Sequence, residues 1–340
     1  MGLDEAVKAV GNISLPRRQL IAATIAAAPS AALVAYAASR EAGKALRNLA
    51  VVAAGSLLRP QDSRADDFGI GISAFPHKGN SGSVLSSVNG LNISYVKLLF
   101  EWRHIQPGRN AYVWGDADGL MHLFTGTGYR VVARLDIQPT WAAPDTGAGQ
   151  HSRPEDLNDY AGFVEAFVSR YAGRLYGVEI WNEPNLSAEW GKETSPEEYA
   201  EMLRLAYISA KKADPKVKVI SAGLAQLAED GETAIGTMRY LERMYAAGAP
   251  EFFDLQGVHA YGFGKEPDIF SGSIESFSAI RLINGLMRQK GVRKGIAVTE
   301  VGWTTDDVNE DYAPHAVSLE QQAEYLSSSI IVQSTLYLYT

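Results

Sequence analysis

From Phe68 onward the chain alternates short apolar runs, rich in valine, isoleucine and aromatic residues, with longer stretches of helical period. No other feature restricts the fold as much. The runs read as eight strands: Phe68–Ala74, Tyr95–Trp102, Tyr129–Asp136, Gly177–Asn182, Val217–Ser221, Phe252–His259, Gly295–Val301 and Thr335–Tyr339. Their near-continuous apolar character fits strands covered on both faces, as in parallel sheets. Between them, Leu157–Tyr171, Ser195–Ala213, Ile274–Lys290 and Ser318–Val332 read as helices. Ser195 is suited to cap the second of these, Pro196 to its first turn, and Glu197 and Glu198 to its positive end.

Repeated βα units predict a (β/α)8 TIM barrel over residues 68–340, close to the roughly 250 residues such a barrel needs. A doubly wound open sheet is the weaker alternative, because no glycine-rich phosphate turn follows the first strand. The eighth strand reaches the chain terminus, so an eighth helix is missing from the expected set. Either N-terminal helices cover that part of the wall, or the sequence is a truncated gene product.

A formal net charge of -8 and a pI near 5.4 exclude the basic field that nucleic acid or an anionic membrane surface would require. The chain has no cysteine, which removes disulfides, thiolate metal sites and cysteine nucleophiles together. No His-x-x-x-His or comparable cluster is present, so neither metal nor cofactor is expected. In residues 1–58, Arg17-Arg18 precede an alanine-rich stretch from Leu20 to Ala38 that closes with Ala35-Tyr36-Ala37. That pattern reads as an export signal of twin-arginine type, leaving the protein secreted, periplasmic or tethered to a membrane by this segment alone. Pro29, the long leader with Asp4 and Glu5, and a second apolar piece at Leu49–Leu58 fit a helical extension instead, which leaves a cytoplasmic location open. Residues 59–67, polar and containing proline, read as a linker.

Active sites of such barrels lie at the C-terminal ends of the strands. Two strands end in glutamate: strand four in Trp181-Asn182-Glu183-Pro184-Asn185, strand seven in Thr299-Glu300-Val301-Gly302-Trp303. A lone glutamate at a strand end is most often salt-bridged or solvated. Two, on strands already numbered four and seven, point to paired carboxylates at the barrel mouth. Deeper in strands two, three and four lie Lys97, Arg134 and Glu179. A buried charge needs a partner, so Glu179 is expected to pair with Lys97 or Arg134 beneath that pair. Asp306, Asp307, Glu310 and Asp311 read as a solvated loop.

The two glutamate motifs together resemble the clan of retaining glycoside hydrolases whose barrels carry the acid/base after strand four and the nucleophile at the end of strand seven. Asn-Glu-Pro is the most specific part. Within that clan the chain resembles family 39-like enzymes, with family 5-like cellulases as near competitors, over Phe68 to Val332. The resemblance implies cleavage of an oligo- or polysaccharide by double displacement, with carbohydrate as the partner. It implies Glu183 as acid/base, Glu300 as nucleophile, and Asn182 as a donor or acceptor to the sugar 2-hydroxyl. In Val258-His259-Ala260-Tyr261 it implies a tyrosine that hydrogen-bonds the nucleophile and a histidine lining the pocket. Trp141 and Trp303, after strands three and seven, are candidates for stacking on sugar rings, although aromatics there also pack loops. The clan usually carries arginine near the position of Lys97, which puts a direct sugar contact by Lys97 in doubt. A carbohydrate-binding barrel without turnover and a transglycosylase are the competing readings.

Overall fold

The computed structural model describes residues 69–74, 81–89, 91, 93–143, 151–191, 193–268 and 271–337, with side chains to residue 330. The signal-like segment at 1–58 and the linker at 59–67 lie outside them. Residues Gly69–Val317 form one compact unit, and the helix Leu319–Tyr337 belongs to a second.

Seven strands build the first unit: β1 (Gly71–Ala74), β2 (Tyr95–Glu101), β3 (Arg130–Asp136), β4 (Leu175–Ile180), β5 (Lys218–Ser221), β6 (Leu255–His259) and β7 (Gly295–Glu300). They pair in parallel in the order of the chain, β1 through β7. A doubly wound sheet would reverse that order partway, so the alternative fold is excluded. The sheet curls until Ser73 of β1 donates its hydroxyl hydrogen to the Thr299 carbonyl of β7, at 3.3 Å. The described fold is an α/β barrel of the (β/α) type.

Alternation along each strand sorts side chains between the helical layer and the axis. In β2, Val96, Leu98 and Phe100 are buried, and the Phe100 ring meets Phe167 of the helix Leu157–Arg170 edge-on at 4.9 Å. Lys97 lies in the opposite phase, toward the axis. The helices Leu157–Arg170 and Pro196–Ala213 pack along each other outside β3 and β4. Each starts with a side-chain cap: Asp156 accepts from Asn158 N at 2.9 Å, and Ser195 from Glu198 N at 3.2 Å. Each also holds a strand end. Tyr160 donates to the Leu135 carbonyl at 2.6 Å; Tyr199 donates to the Ile180 carbonyl at 3.0 Å and accepts from Ala222 N at 2.6 Å.

The structure corrects the expected eighth strand at Thr335–Tyr339, because a helix runs from Leu319 through Tyr337. Ser318 and Gln321 form a reciprocal capping box, Gln321 N to Ser318 Oγ at 3.2 Å and Ser318 N to Gln321 Oε1 at 3.0 Å. No glycine or proline follows to stop the helix, and a short apolar run such as Leu336–Tyr339 does not by itself distinguish strand from helix. Among the described residues the sheet therefore has seven strands. The helix expected from Ile274 starts only at Ala279, because Ser271, Ser276 and Ser278 link their hydroxyls in a loop ahead of it.

Tyr199 is fully buried, so Tyr199→Phe leaves the Ala222 amide without its acceptor. The substitution is expected to lower unfolding stability by about 1–3 kcal/mol, read as an earlier midpoint in urea at unchanged slope.

Candidate active site

The segment after β4 is backbone-strained. Trp181 has φ 71° and Glu183 φ 39°, in the left-handed region that non-glycine residues rarely adopt. Ile137 after β3 and Phe263 after β6 share this property, at 56° and 47°. Such conformations cost on the order of 1–3 kcal/mol each and persist only where the surroundings fix them. Here Trp181 N donates to the Leu135 carbonyl at 3.2 Å, its indole Nε1 to the Glu189 carbonyl at 3.0 Å, and Glu183 N to the Gly223 carbonyl at 3.0 Å. Asn185, fully buried, ties the loops after β4 and β5: Nδ2 donates to the carbonyls of Ala225 and Ile235, and Oδ1 accepts from Ala225 N.

The consequence is a Glu183 side chain turned toward β6, where its Oε1 lies 2.8 Å from His259 Nδ1. The other ring nitrogen of His259, Nε2, is 3.7 Å from Glu300 Oε1. One buried imidazole thus stands between the two strand-end carboxylates. It fits only because position 223 is glycine: a Cβ there would come within 2.2 Å of the ring.

Glu300 is held from three sides. Lys97 Nζ is 3.1 Å and Arg134 Nη1 3.2 Å from Oε1, and Tyr261 Oη donates to Oε2 at 2.6 Å. Burial alone would raise its pKa. The His259 imidazole, Lys97, the Tyr261 hydrogen bond and Arg134 outweigh burial and hold it at about 2, against an ordinary 4.5. Tyr261 is pushed the other way, by burial and by the charge of Glu300, so it stays a neutral donor. Arg134 also binds Asp136 Oδ2, through Nε at 2.7 Å and Nη2 at 2.6 Å. Of the two partners expected for Glu179, the structure selects Lys97, at 2.7 Å.

Asn182 is buried, and its Oδ1 makes no hydrogen bond among the described residues. Trp141 keeps part of its surface exposed; its Nε1 donates to the Gln106 carbonyl at 2.9 Å and Arg109 lies over its ring at 4.7 Å. Trp303 is only 5% exposed, with Nε1 donating to the Lys265 carbonyl and Phe277 beside its ring. Its ring is buried among these neighbours. The four residues Glu183, Glu300, His259 and Tyr261 converge. Among the described residues no group of His, Asp and Glu is arranged to hold a metal.

Two contributors lay outside the sequence reading. Gln226, buried in the loop after β5, accepts from Tyr261 N at 2.5 Å and donates to the carbonyls of Ile274 and Ser276, fixing the backbone that carries Tyr261. His151 and Glu189 pair at 2.8 Å, joining the loop after β3 to the turn after β4. Burial works against Glu189, but the His151 bond lowers its pKa, and the same bond raises that of His151.

No family model matches the chain. The fold is similar to that of a family 39 glycoside hydrolase from the gut symbiont Bacteroides cellulosilyticus WH2, with TM-score 0.57 and 20% identity over 77% of this chain and 52% of that one. It is also similar to a glucosidase from Croceicoccus marinus, with TM-score 0.57 and 14% identity over 76% of this chain and 56% of that one. A third likeness is to xylanase 10B from Thermotoga maritima, with TM-score 0.51 and 17% identity over 78% of each chain. The chain spans about half the length of the first two. At these identities the likeness is one of fold, shared with barrels of glycoside hydrolases.

Because the folded-state pKa of Glu300 lies below its ordinary value, the unfolded chain binds more protons between 4.5 and about 2. The stabilisation is complete above that window and is lost as pH falls through it, amounting to about 3 kcal/mol. Urea unfolding measured from pH 6 down toward 2.5 is expected to show this loss in the wild type and a flatter dependence in Glu300→Gln.

Proposed function

We propose that the chain is a retaining glycoside hydrolase that cleaves O-glycosidic bonds of an oligo- or polysaccharide by double displacement. The observation that carries this reading is the unequal treatment of two neighbouring strand-end carboxylates. Glu300 is kept ionised by the shared His259 imidazole, two cations and a tyrosine, whereas Glu183 meets the other nitrogen of that imidazole and keeps 20% of its side chain open. A nucleophile must be charged and fixed; an acid/base must exchange protons with the leaving group and with water.

In the first step a Glu300 oxygen attacks the anomeric carbon, the bond to the leaving oxygen breaks, and protonated Glu183 supplies that oxygen with its proton. The product is a glycosyl ester on Glu300. In the second step Glu183, now ionised, takes a proton from water as the water oxygen attacks the anomeric carbon, and Glu300 leaves as a carboxylate. Asn182, with its free buried acceptor, serves the sugar hydroxyl next to the reacting carbon, and Trp141 is the remaining aromatic candidate for a ring contact. The shared fold with enzymes described as a glucosidase and a xylanase supports carbohydrate as substrate. Export through the Arg17-Arg18 leader forms part of this reading, since polymeric carbohydrate is met outside the cell.

The test is turnover of aryl glycosides and polysaccharides followed by proton NMR of the first product. The expected outcome is the same anomeric configuration as the substrate; initial formation of the opposite anomer would sink the double displacement. Glu183→Ala is expected to lose roughly 10²- to 10⁴-fold in activity toward substrates with poor leaving groups. Glu300→Gly is expected to be inactive and to recover turnover with azide, giving a glycosyl azide of inverted configuration. Sugar binding without any turnover would favour a binding barrel, and longer oligosaccharides among the products a transglycosylase.

A further inference from the structure

The Lys97 ammonium donates to Glu300 Oε1 at 3.1 Å and to the Thr299 carbonyl at 3.4 Å, and stands 2.7 Å from Glu179 Oε2 as an ion pair. Glu179 is fully buried, and among the described residues neither of its oxygens accepts a hydrogen bond, which leaves the ion pair with Lys97 to compensate it. Arg134 repeats the arrangement, bound on one side to buried Asp136 and on the other to the same Glu300 oxygen. Glu300 thus faces Lys97 from β2, Arg134 from β3, and His259 and Tyr261 from β6 and its end, while Glu183 from the end of β4 meets the other nitrogen of His259. Glu179 stands behind Lys97, while Asp136 meets Arg134 at the end of β3.

If Glu300 were the only counter-ion, this arrangement would oppose the reaction proposed above. Once Glu300 becomes a neutral ester, its cations would be left buried and uncompensated, a state that costs several kcal/mol in proteins. We propose, resting on that reading, that Glu179 is a positioning residue for the nucleophile, acting through Lys97 as the counter-ion that remains when the charge of Glu300 is consumed in the glycosyl-enzyme bond. In the free enzyme Glu179 shares the ammonium and keeps it from gripping Glu300 too strongly. In the intermediate it holds Lys97 in place until hydrolysis returns the carboxylate.

The proposal separates the two chemical steps. Glycosylation removes the charge from Glu300 and is the step Glu179 assists; deglycosylation restores that charge. With a dinitrophenyl glycoside, whose good leaving group makes hydrolysis of the intermediate limiting, Glu179→Gln is expected to lower kcat/KM roughly 30-fold or more while kcat changes far less. Equal losses in kcat and kcat/KM would mean a structural role only and would overturn the proposal.

A second variant reads the coupling without turnover. Lys97→Met combined with Glu179→Gln replaces the pair by neutral side chains of similar volume, so no buried charge is left alone. Carbon-13 NMR of the labelled Glu300 carboxyl is expected to show it titrating at higher pH than in the wild type, the sign that loss of a neighbouring cation gives. An unmoved titration would overturn the coupling. A wild-type chain that turns over no glycoside would sink the glycosidase reading, and the titration would then decide the coupling alone.

Discussion

The site depends on one ammonium group, Nζ of Lys97, placed between a carboxylate that is wholly buried and one that faces the barrel mouth. Isolated, such a cation could not remain inside an apolar strand. Its presence requires Glu179 below, and together they fix where Glu300 sits above. Arg134 brings a second cation to Glu300 from the next strand and binds Asp136 at the end of that strand. The inner barrel is therefore a layer of charges in which Lys97 is shared between a buried carboxylate and a strand-end one. That sharing leaves the strand-end carboxylate ionised and oriented but not buried beyond reach.

Around this layer the loops supply position more than charge. The left-handed backbone at Trp181 and Glu183 turns the glutamate out of the strand direction, and bonds to β3, to the loop after β5 and to Glu189 hold it there. Gly223 clears the space for His259, and Gln226 fixes the amide of Tyr261. A substituted Gly262 would strike the indole of Trp303, which is buried just after β7. Each of these residues acts on the same few ångströms at the barrel mouth.

Much of this was legible from the chain. The strand count up to seven, the two glutamates at strand ends, and the need of Glu179 for a cation all follow from period and burial rules. The choice of cation does not follow. Arg134 is the direct sheet neighbour of Glu179, yet its longer side chain reaches the strand end and binds Asp136 and Glu300, leaving Glu179 to Lys97. The position of Trp303 after β7 is visible in the sequence, whereas its burial beside Gly262 and Phe277 is not, because those residues are distant along the chain. Gln226 and Gly223 carry no local signal, since a loop glutamine or glycine gains meaning only from the side chain it meets. The final helix was misread for another reason: Leu336–Tyr339 is too short for its period to choose, and the capping box at Ser318 and Gln321 decides from far upstream.

The central claim is that Glu300 forms the covalent bond. A 2-deoxy-2-fluoro glycoside with a good leaving group slows both steps and the second more, so the ester accumulates and can be located by mass spectrometry of the digested protein. The account predicts one added sugar on the peptide that contains Glu300, its appearance abolished in Glu300→Gln. A sugar attached to any other residue, or complete turnover of a cleaved glycoside with no ester formed, would contradict it.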